Sequence, residues 1–385
     1  MTGAAGAAGS QPRARDLGVP FDGVPGPWNA ITDVPGVLVG YETLIAGEPH
    51  EASVARTGVT AILPRGRDDA GLPCAAGVHS MNGNGELTGR SWIEESGTLA
   101  LPIALTNSHA VGAVHSGVDA WVDRTHPELS AEWMLPVVGE TWDGYLNQIN
   151  AGHVRPEHAI AAIDAAASGP IAEGNVGGGT GMNCYGFKGG SGTASRVVDH
   201  GGDRYTVGVF LQANFGTRAE LRLVGRPLGR ESAAPNPYEE VEWFVRDGER
   251  ARARAGAGSV IGVVVTDAPL LPGQCAALAR RVPLGLARTG TSGSHFSGDI
   301  FLACSTANAG AFTSSMPTAD PAPGDYETAR FVPWGHIDPL YEAVVQASEE
   351  AVANVLVAAR DLVGRDGHVS PALPHDEVRR AFRAD

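Results

Sequence analysis

A layered α/β or α+β architecture is predicted by three features of this chain. Short apolar runs rich in Val and Ile read as buried strands, and amphipathic segments of helical period alternate with them. The 52 Gly and 26 Pro punctuate the sequence with tight turns. A hydrophobic fraction of 43% over 385 residues is enough for one large α/β unit or two domains.

In chain order, MTGAAGAAGSQPRARD has no basic start followed by an apolar core, so it does not read as a leader peptide. Residues 1–30 are expected to form a flexible N-terminal arm. NAITDVPGVLVGYETL (Asn29 to Leu44) predicts a strand, a turn and a strand, and TGVTAILPRG (Thr57 to Gly66) a β-rich run. AAGVHSMNGNGELTG (Ala75 to Gly89) predicts a strand followed by a Gly/Asn loop. From Thr106 to Thr125, a cap at Asn107 or Ser108 precedes Val111, Val114, Val118 and Val122 at helical spacing. RPEHAIAAIDAAASG (Arg155 to Gly169) predicts a helix with Pro near its start and Gly past its end.

GGDRYTVGVFLQANFG (Gly201 to Gly216) predicts a strand ending in a polar loop. Glu231 to Gly258 lacks apolar period and reads as a linker. Then VIGVVVTD predicts a strand, LPGQCAALARRV a helix, and DIFLACST (Asp299 to Thr306) a strand. Asp338 to Gly364 predicts the longest helix, with Leu340, Tyr341, Val344, Val345, Val352, Val355, Leu356 and Ala359 on one apolar stripe.

Charge and motifs exclude several functions. A formal net charge of -15 opposes binding to nucleic acid or anionic membranes. No apolar run reaches the roughly 18 residues of a bilayer span, and a cytoplasmic protein is expected. Lys188 is the only lysine, which reads as composition bias. Cys74, Cys184, Cys275 and Cys304 form no CxxC, so reduced, mostly buried thiols are expected rather than a zinc or redox motif. His109 and His115 read as structural or capping, and His375 as part of a surface tail. The Gly-rich stretch from Gly174 to Arg196 has neither the spacing of a dinucleotide fingerprint nor a GxxxxGK[ST] loop. It reads as a loop where backbone passes close to backbone or ligand. No GxSxG elbow occurs.

One junction carries chemistry. In ARAGAGSVIGVVVTDAPL an Arg-dotted linker turns into a strand at Ser259, directly after Gly258. An ordinary loop-to-strand boundary accounts for it. So does a chain cut between these residues. An N-terminal serine carries its own α-amine, which titrates near pH ~7.7–8.0 and can act as the base that activates the hydroxyl.

Several stretches together then identify a family. GSVIGVVVTDAPLLPGQ, RRVPLGLARTG, SGDIFLACST, GNVGGGTGMNCYGFKGGSGTASR, NGNGELTG and ITDVPGVLVG resemble the self-cleaving L-aminopeptidase/D-amino-acid esterase-amidase family, which includes the β-peptidyl aminopeptidases. The resemblance runs from about Ile31 to about Val363. It implies a four-layer αββα sandwich like that of N-terminal-nucleophile hydrolases, with different connectivity. It implies a single catalytic domain over 31–385, cut at Gly258–Ser259 into chains 1–258 and 259–385, with Ser259 the nucleophile. By the same resemblance Ser297 and Asp299 of SGDIF hold the amine and hydroxyl of the nucleophile, and Asn214 of QANFG donates to the oxyanion. Glu140 of ETWDGYLNQI receives the substrate's free amino group. The chain departs from the family pattern twice: Asp299 stands where Glu is frequent, and Trp142 stands where some members carry a Tyr at the substrate site. The implied activity is hydrolysis of N-terminal residues from short peptides, amides or esters through an acyl-enzyme. No metal or organic cofactor is implied, and a homo-oligomer of processed units is. Alternatives are an oligoamide hydrolase of the same family, an uncleaved homologue acting as a binding or scaffold protein, and a nucleotide-binding protein using the Gly-rich loop.

Overall fold

The structure is a computed structural model that describes residues 12–131, 133–240, 258–317 and 319–383. Its main strands are β1 (Leu38–Ala46), β2 (Ala55–Leu63), β3 (Cys74–Ser80), β4 (Thr98–Leu99), β5 (Ile103–Asn107), β6 (Val137–Thr141), β7 (Asn183–Cys184), β8 (Phe187–Lys188), β9 (Gly190–His200), β10 (Asp203–Asn214), β11 (Gly258–Thr266), β12 (Ser297–Ser305), β13 (Leu362–Val363) and β14 (Val369–Ser370). The longer helices are α1 (Arg90–Ser96), α2 (Val111–Thr125), α3 (Pro156–Asp164), α4 (Pro272–Ala279), α5 (Val282–Arg288), α6 (Asp338–Ala358) and α7 (His375–Ala381).

Two sheets form the centre. One runs β1-β2-β5-β6 and the other β4-β3-β12-β11-β10-β9. Strand alternation assigns their faces. Ile261, Val263 and Val265 of β11 pack with Ile62, Ile103, Leu105 and Val137 across the gap between the sheets. The alternate residues Val260 and Val264 face the other way, onto α4, α5 and α6 through Leu278, Val282, Val344 and Val352. On the far side of the first sheet, Val59, Ala61, Ala104 and Val138 pack on Val114, Val118 and Trp121 of α2 and Ile163 of α3. Three cores separate four layers, so the αββα sandwich follows from which face each residue buries. Both faces of each central strand are covered, which is why VIGVVVT is apolar without alternation.

Five sequence expectations are corrected. Residues 12–30 are not a free arm. Ala14, Leu17, Val19 and Phe21 are buried in the core beside α6. Arg15 reaches Glu350 of α6 at 2.7 Å, and Ala14 N–H donates to Asn354 at 3.1 Å. The Gly-rich stretch is not all loop, because Gly190–His200 is an eleven-residue strand paired antiparallel to β10. Its glycines do meet close backbone: a Cβ on Gly179 would lie 2.3 Å from Ser191 N. The long helix stops at Ala358, and β13 pairs with β14 just after it. His375 begins α7, whose Val378 is buried, instead of a surface tail.

The strand, turn and strand predicted from Asn29 resolve as a single 3-10 turn, Ile31–Asp33, leading into β1. Most of the predicted linker, 241–257, lies outside the described residues. The four cysteines are free and buried. Among the described residues no helix is long and apolar enough to cross a membrane.

Candidate active site

The candidate residues converge at one end of the two sheets. Asn214 closes β10, Ser259 stands at the start of β11, and Ser297 opens β12. In the ladders Asn214 pairs with Ser259, and Ser259 with Gly298. Ser259 shares the parity of Ile261 and Val263, so it points into the gap between the sheets, as does Asn214.

Ser259 is 3% exposed, and its Oγ has no hydrogen-bond partner among the described residues. Buried hydroxyls are ordinarily paired, so an orphan at a strand terminus is a functional signal. Gly258 is dictated by crowding: a Cβ there would lie 2.3 Å from the Asn214 carbonyl oxygen. The glycine before the serine is therefore a close-approach position within the sheet.

Asn214 is held at both ends of its amide. Its Oδ1 accepts from Asn183 N–H at 2.8 Å, and its Nδ2 donates to the Trp142 carbonyl at 2.9 Å. That fixes the amide plane and leaves the second N–H of Nδ2 as the group that can serve an oxyanion.

Asp299 lies along the strand backbone. It pairs in register with Val260, whose face is opposite to that of Ser259. Ser297 Oγ donates to its Oδ1 at 2.5 Å and Asn82 Nδ2 to its Oδ2 at 2.8 Å. The Val260 N–H also favours its ionised form. Burial nonetheless pushes its carboxyl above the ordinary aspartate range, against those three donors.

Glu140 lies in β6, paired with Thr106 of β5. Its Oε1 accepts from Glu86 N–H at 2.9 Å, and its Oε2 accepts from Ser108 Oγ. Burial raises its pKa, opposed by these donors. The loop after β3 thus binds both site carboxylates, Asp299 through Asn82 and Glu140 through Glu86. It can press inward because Gly298 has no Cβ: one there would sit 2.4 Å from Asn84 O. Trp142 is partly exposed, with its indole laid over Gly144, where a Cβ would meet Cζ2 at 2.4 Å. Tyr145 is not part of the site. It is buried and stacked on His368, ring centroids 4.7 Å apart.

Sequence reasoning missed the supporting residues Asn82, Ser108, Asn183 and Gln212. Gln212 is fully buried and ties the sheets together, its Nε2 donating to Thr106 O and Thr141 Oγ1, both at 2.8 Å. Lys188, read as composition bias, is fully buried behind Asn183. Its ammonium donates to Met182 O at 2.8 Å and Gly189 O at 2.9 Å. Burial pulls its pKa down to about 7 and pushes that of nearby Asp143 up to about 7. A lone lysine was the available signal, but its depth is fixed only by the β7–β8 pairing of Asn183 with Lys188. His109 is exposed and follows the Ser108 that holds Glu140, with Nδ1 2.7 Å from Asn150 Oδ1.

The four-layer αββα sandwich, with two central sheets packed face to face between helix layers, defines a protein of the Ntn-hydrolase type of architecture. The comparisons agree. The sequence profile of "Peptidase family S58" matches residues 29–370, and the chain belongs to that family. It is 48% identical to the β-peptidyl aminopeptidase BapA of Sphingosinicella microcystinivorans, across 100% of this chain and 94% of that protein. It is 42% identical to the BapA of Sphingosinicella xenopeptidilytica, across 99% and 93%. Among solved structures, the L-aminopeptidase D-Ala-esterase/amidase of Ochrobactrum anthropi superposes with a TM-score of 0.86 at 43% identity, over 97% of this chain and 98% of that one. It is described as a prototype for the serine aminopeptidases and a new variant of the Ntn hydrolase fold. A Burkholderia sp. β-aminopeptidase superposes at 0.85 with 44% identity, over 96% and 98%.

Proposed function

We propose that this protein is a self-processing aminopeptidase/amidase whose nucleophile is Ser259. The observation that carries the reading is the pairing of Ser259, its Oγ buried and unpartnered, with the anchored Asn214. Family membership supports it.

In processing, Ser259 Oγ attacks the Gly258 carbonyl and the peptide nitrogen leaves as the Ser259 amine, giving an ester. Water hydrolyses the ester, leaving a Gly258 carboxylate and a free N-terminal serine on chain 259–385. In turnover, that α-amine takes the Oγ proton as Oγ attacks the substrate carbonyl. The second N–H of Asn214 meets the oxyanion. The α-ammonium returns its proton to the departing amine or alcohol, and water then releases the acyl group. Ser297 and Asp299 orient the amine, and the carboxylate favours its protonated form after the transfer.

Glu140 selects substrates with a free amino group, because a buried carboxylate rewards an ammonium and leaves a blocked terminus unmatched. Trp142 walls the substrate site. The substrates are short peptides, amino-acid amides or esters, as the names of the relatives suggest. Assembly of processed units into a homo-oligomer is part of this reading. Exposed Trp92, Trp133 and Leu135 around one apolar groove support it, and light scattering tests it.

Intact-mass spectrometry under denaturing conditions tests the processing step. Two fragments meeting at Gly258 and Ser259 are expected, with hydrolysis of free-amine substrates. A single full-length mass in active protein overturns the nucleophile assignment.

A further inference from the structure

Lys188 is buried behind the candidate site, and no step of the proposed reaction uses it. It is the only lysine of the chain and is fully buried. Its ammonium donates to three carbonyl oxygens, Met182 O at 2.8 Å, Gly189 O at 2.9 Å and Gly179 O at 3.3 Å. None of these bonds goes to a carboxylate. The titratable groups that act on it are Cys184 of β7 and Asp143 beyond β6, and both act through space. A buried cation held by carbonyl dipoles alone is costly to keep, which marks it for a role beyond packing.

A tight hairpin sets its place. Tyr185 and Gly186 both have positive φ, 55° and 67°, as in a two-residue turn that matches the twist of its strands. The turn pairs Asn183 of β7 with Lys188 of β8. Two bonds dock the hairpin on the end of β10: Asn183 N–H donates to Asn214 Oδ1 at 2.8 Å, and Tyr185 N–H to Phe215 O at 2.8 Å. Gly189 allows the close approach, since a Cβ there would lie 2.5 Å from Ala213 O.

One peptide unit therefore joins the lysine to the asparagine. Met182 O accepts from the ammonium, and the N–H of the same peptide, that of Asn183, donates to Asn214 Oδ1. The side-chain amide of Asn214 continues the chain to its second N–H. Both links are resonant amides. A cation at the carbonyl end draws electron density from the nitrogen end, so each N–H becomes a stronger donor, and such chains reinforce themselves in a low-dielectric interior.

We propose that Lys188 is a positioning residue for the oxyanion donor: through the Met182–Asn183 peptide its ammonium aligns and polarises the Asn214 amide, whose second N–H meets the developing charge. The inference rests on the reading of Ser259 and Asn214 given above and adds the group that strengthens the donor.

The unaltered protein carries the first test. Because Lys188 is the only lysine, lysine isotope-labelled at Cε gives a single NMR signal, whose shift against pH reads its protonation. Burial brings its pKa down to about 7, within easy titration. The probe is the boronic acid analogue of alanine. Its boron bonds Ser259 Oγ, the Oγ proton passes to the α-amine, and the boron becomes tetrahedral and anionic with a hydroxyl in the oxyanion position. Coupling is reciprocal: if the ammonium stabilises that charge about tenfold, the adduct raises the pKa of Lys188 by about one unit. That rise is expected. An unmoved pKa, with the adduct visible by boron NMR, overturns the relay alone. No adduct and no turnover overturn the nucleophile reading, and the relay falls with it.

Kinetics test the route. Lys188→Met is expected to lower kcat per cut chain by about tenfold with KM little changed, because the gain is confined to the transition state. In the Asn214→Ala background the same change is expected to cost no further kcat. Equal losses in both backgrounds overturn transmission through Asn214. If Lys188→Met does not fold, the titration of the unaltered protein decides.

Discussion

Asn214 and Ser259 stand opposite one another across the antiparallel pair of β10 and β11, and the amide of Asn214 is pinned by Asn183 on one side and Trp142 on the other. A donor held this way does not reorganise when charge develops, which is where preorganised sites gain their rate. Asn214→Ala is therefore expected to lower kcat by roughly 10²–10³-fold, the usual cost of one oxyanion donor. Asn214→Asp is expected to be worse, because it sets an acceptor against the Trp142 carbonyl. Steady-state kinetics on a free-amine amide check both, and near-normal kcat in Asn214→Ala removes this residue from the oxyanion site.

The second prediction concerns Gly258. A methyl group there would lie 2.3 Å from Asn214 O and 3.0 Å from Phe215 Cα. These are backbone atoms of β10, so strand β11 must shift at its first residue. Gly258→Ala is expected to slow chain cleavage severely and to cost about 1–3 kcal/mol of stability, the range for overpacking. A time course of intact mass after synthesis reads the first effect and denaturant unfolding the second. Cleavage at the unaltered rate shows that the geometry of this pairing does not govern processing.

Asp299 supplies the third. It accepts from Ser297 Oγ and Asn82 Nδ2. An asparagine in its place has only one acceptor atom, so its NH2 must face one of these donors. Asp299→Asn is expected to cost about 1–3 kcal/mol from the unmatched polar groups. It is also expected to lower kcat by loosening the backbone where the Ser259 amine would sit. Asn82→Asp creates the matching carboxylate, so the double variant Asn82→Asp, Asp299→Asn is expected to recover stability relative to Asp299→Asn alone. A double variant no more stable than that single one refutes the pairing.

Much of this site was legible because chemistry and fold left marks in the same short stretches. Ser259 heads a run whose apolar residues read as a strand covered on both faces, and so it is. Asn214 ends another such run. What the sequence hid is long-range. Asn82 meets Asp299 across 217 positions, and no local pattern announces that. β9 was hidden by its glycines, which oppose a strand by propensity. Its neighbours override that preference: a Cβ on Gly192 would strike Ala351 O of α6 at 2.5 Å, so the helix demands the glycine that weakens the strand signal. The stretch 12–30 failed for a similar reason. No apolar period marked it as an element, while Leu17, Val19 and Phe21 find their partners in a helix more than 300 residues away.

Glu140 carries the fourth prediction, and its sign follows from burial. Both oxygens of its carboxylate accept hydrogen bonds, yet desolvation dominates and raises its pKa above the ordinary glutamate value of about 4.3. The ionised form is the one that meets a substrate ammonium. The kcat/KM for free-amine substrates is therefore expected to fall as pH drops through a pKa above that of a free glutamate. A bound ammonium favours the carboxylate, so the corresponding limb of kcat is expected at lower pH than that of kcat/KM. Glu140→Gln keeps an oxygen for the Glu86 N–H and an amide hydrogen for Ser108, so the fold is expected to survive. The variant is expected to lose this acidic limb and to lose about 10–100-fold of the preference for free over N-acetylated substrates, the cost of one charge-assisted pair. The measurement is a pH profile of kcat/KM on both substrates. An acidic limb unmoved in Glu140→Gln assigns it to another group, with Asp299, also raised by burial, the next to test.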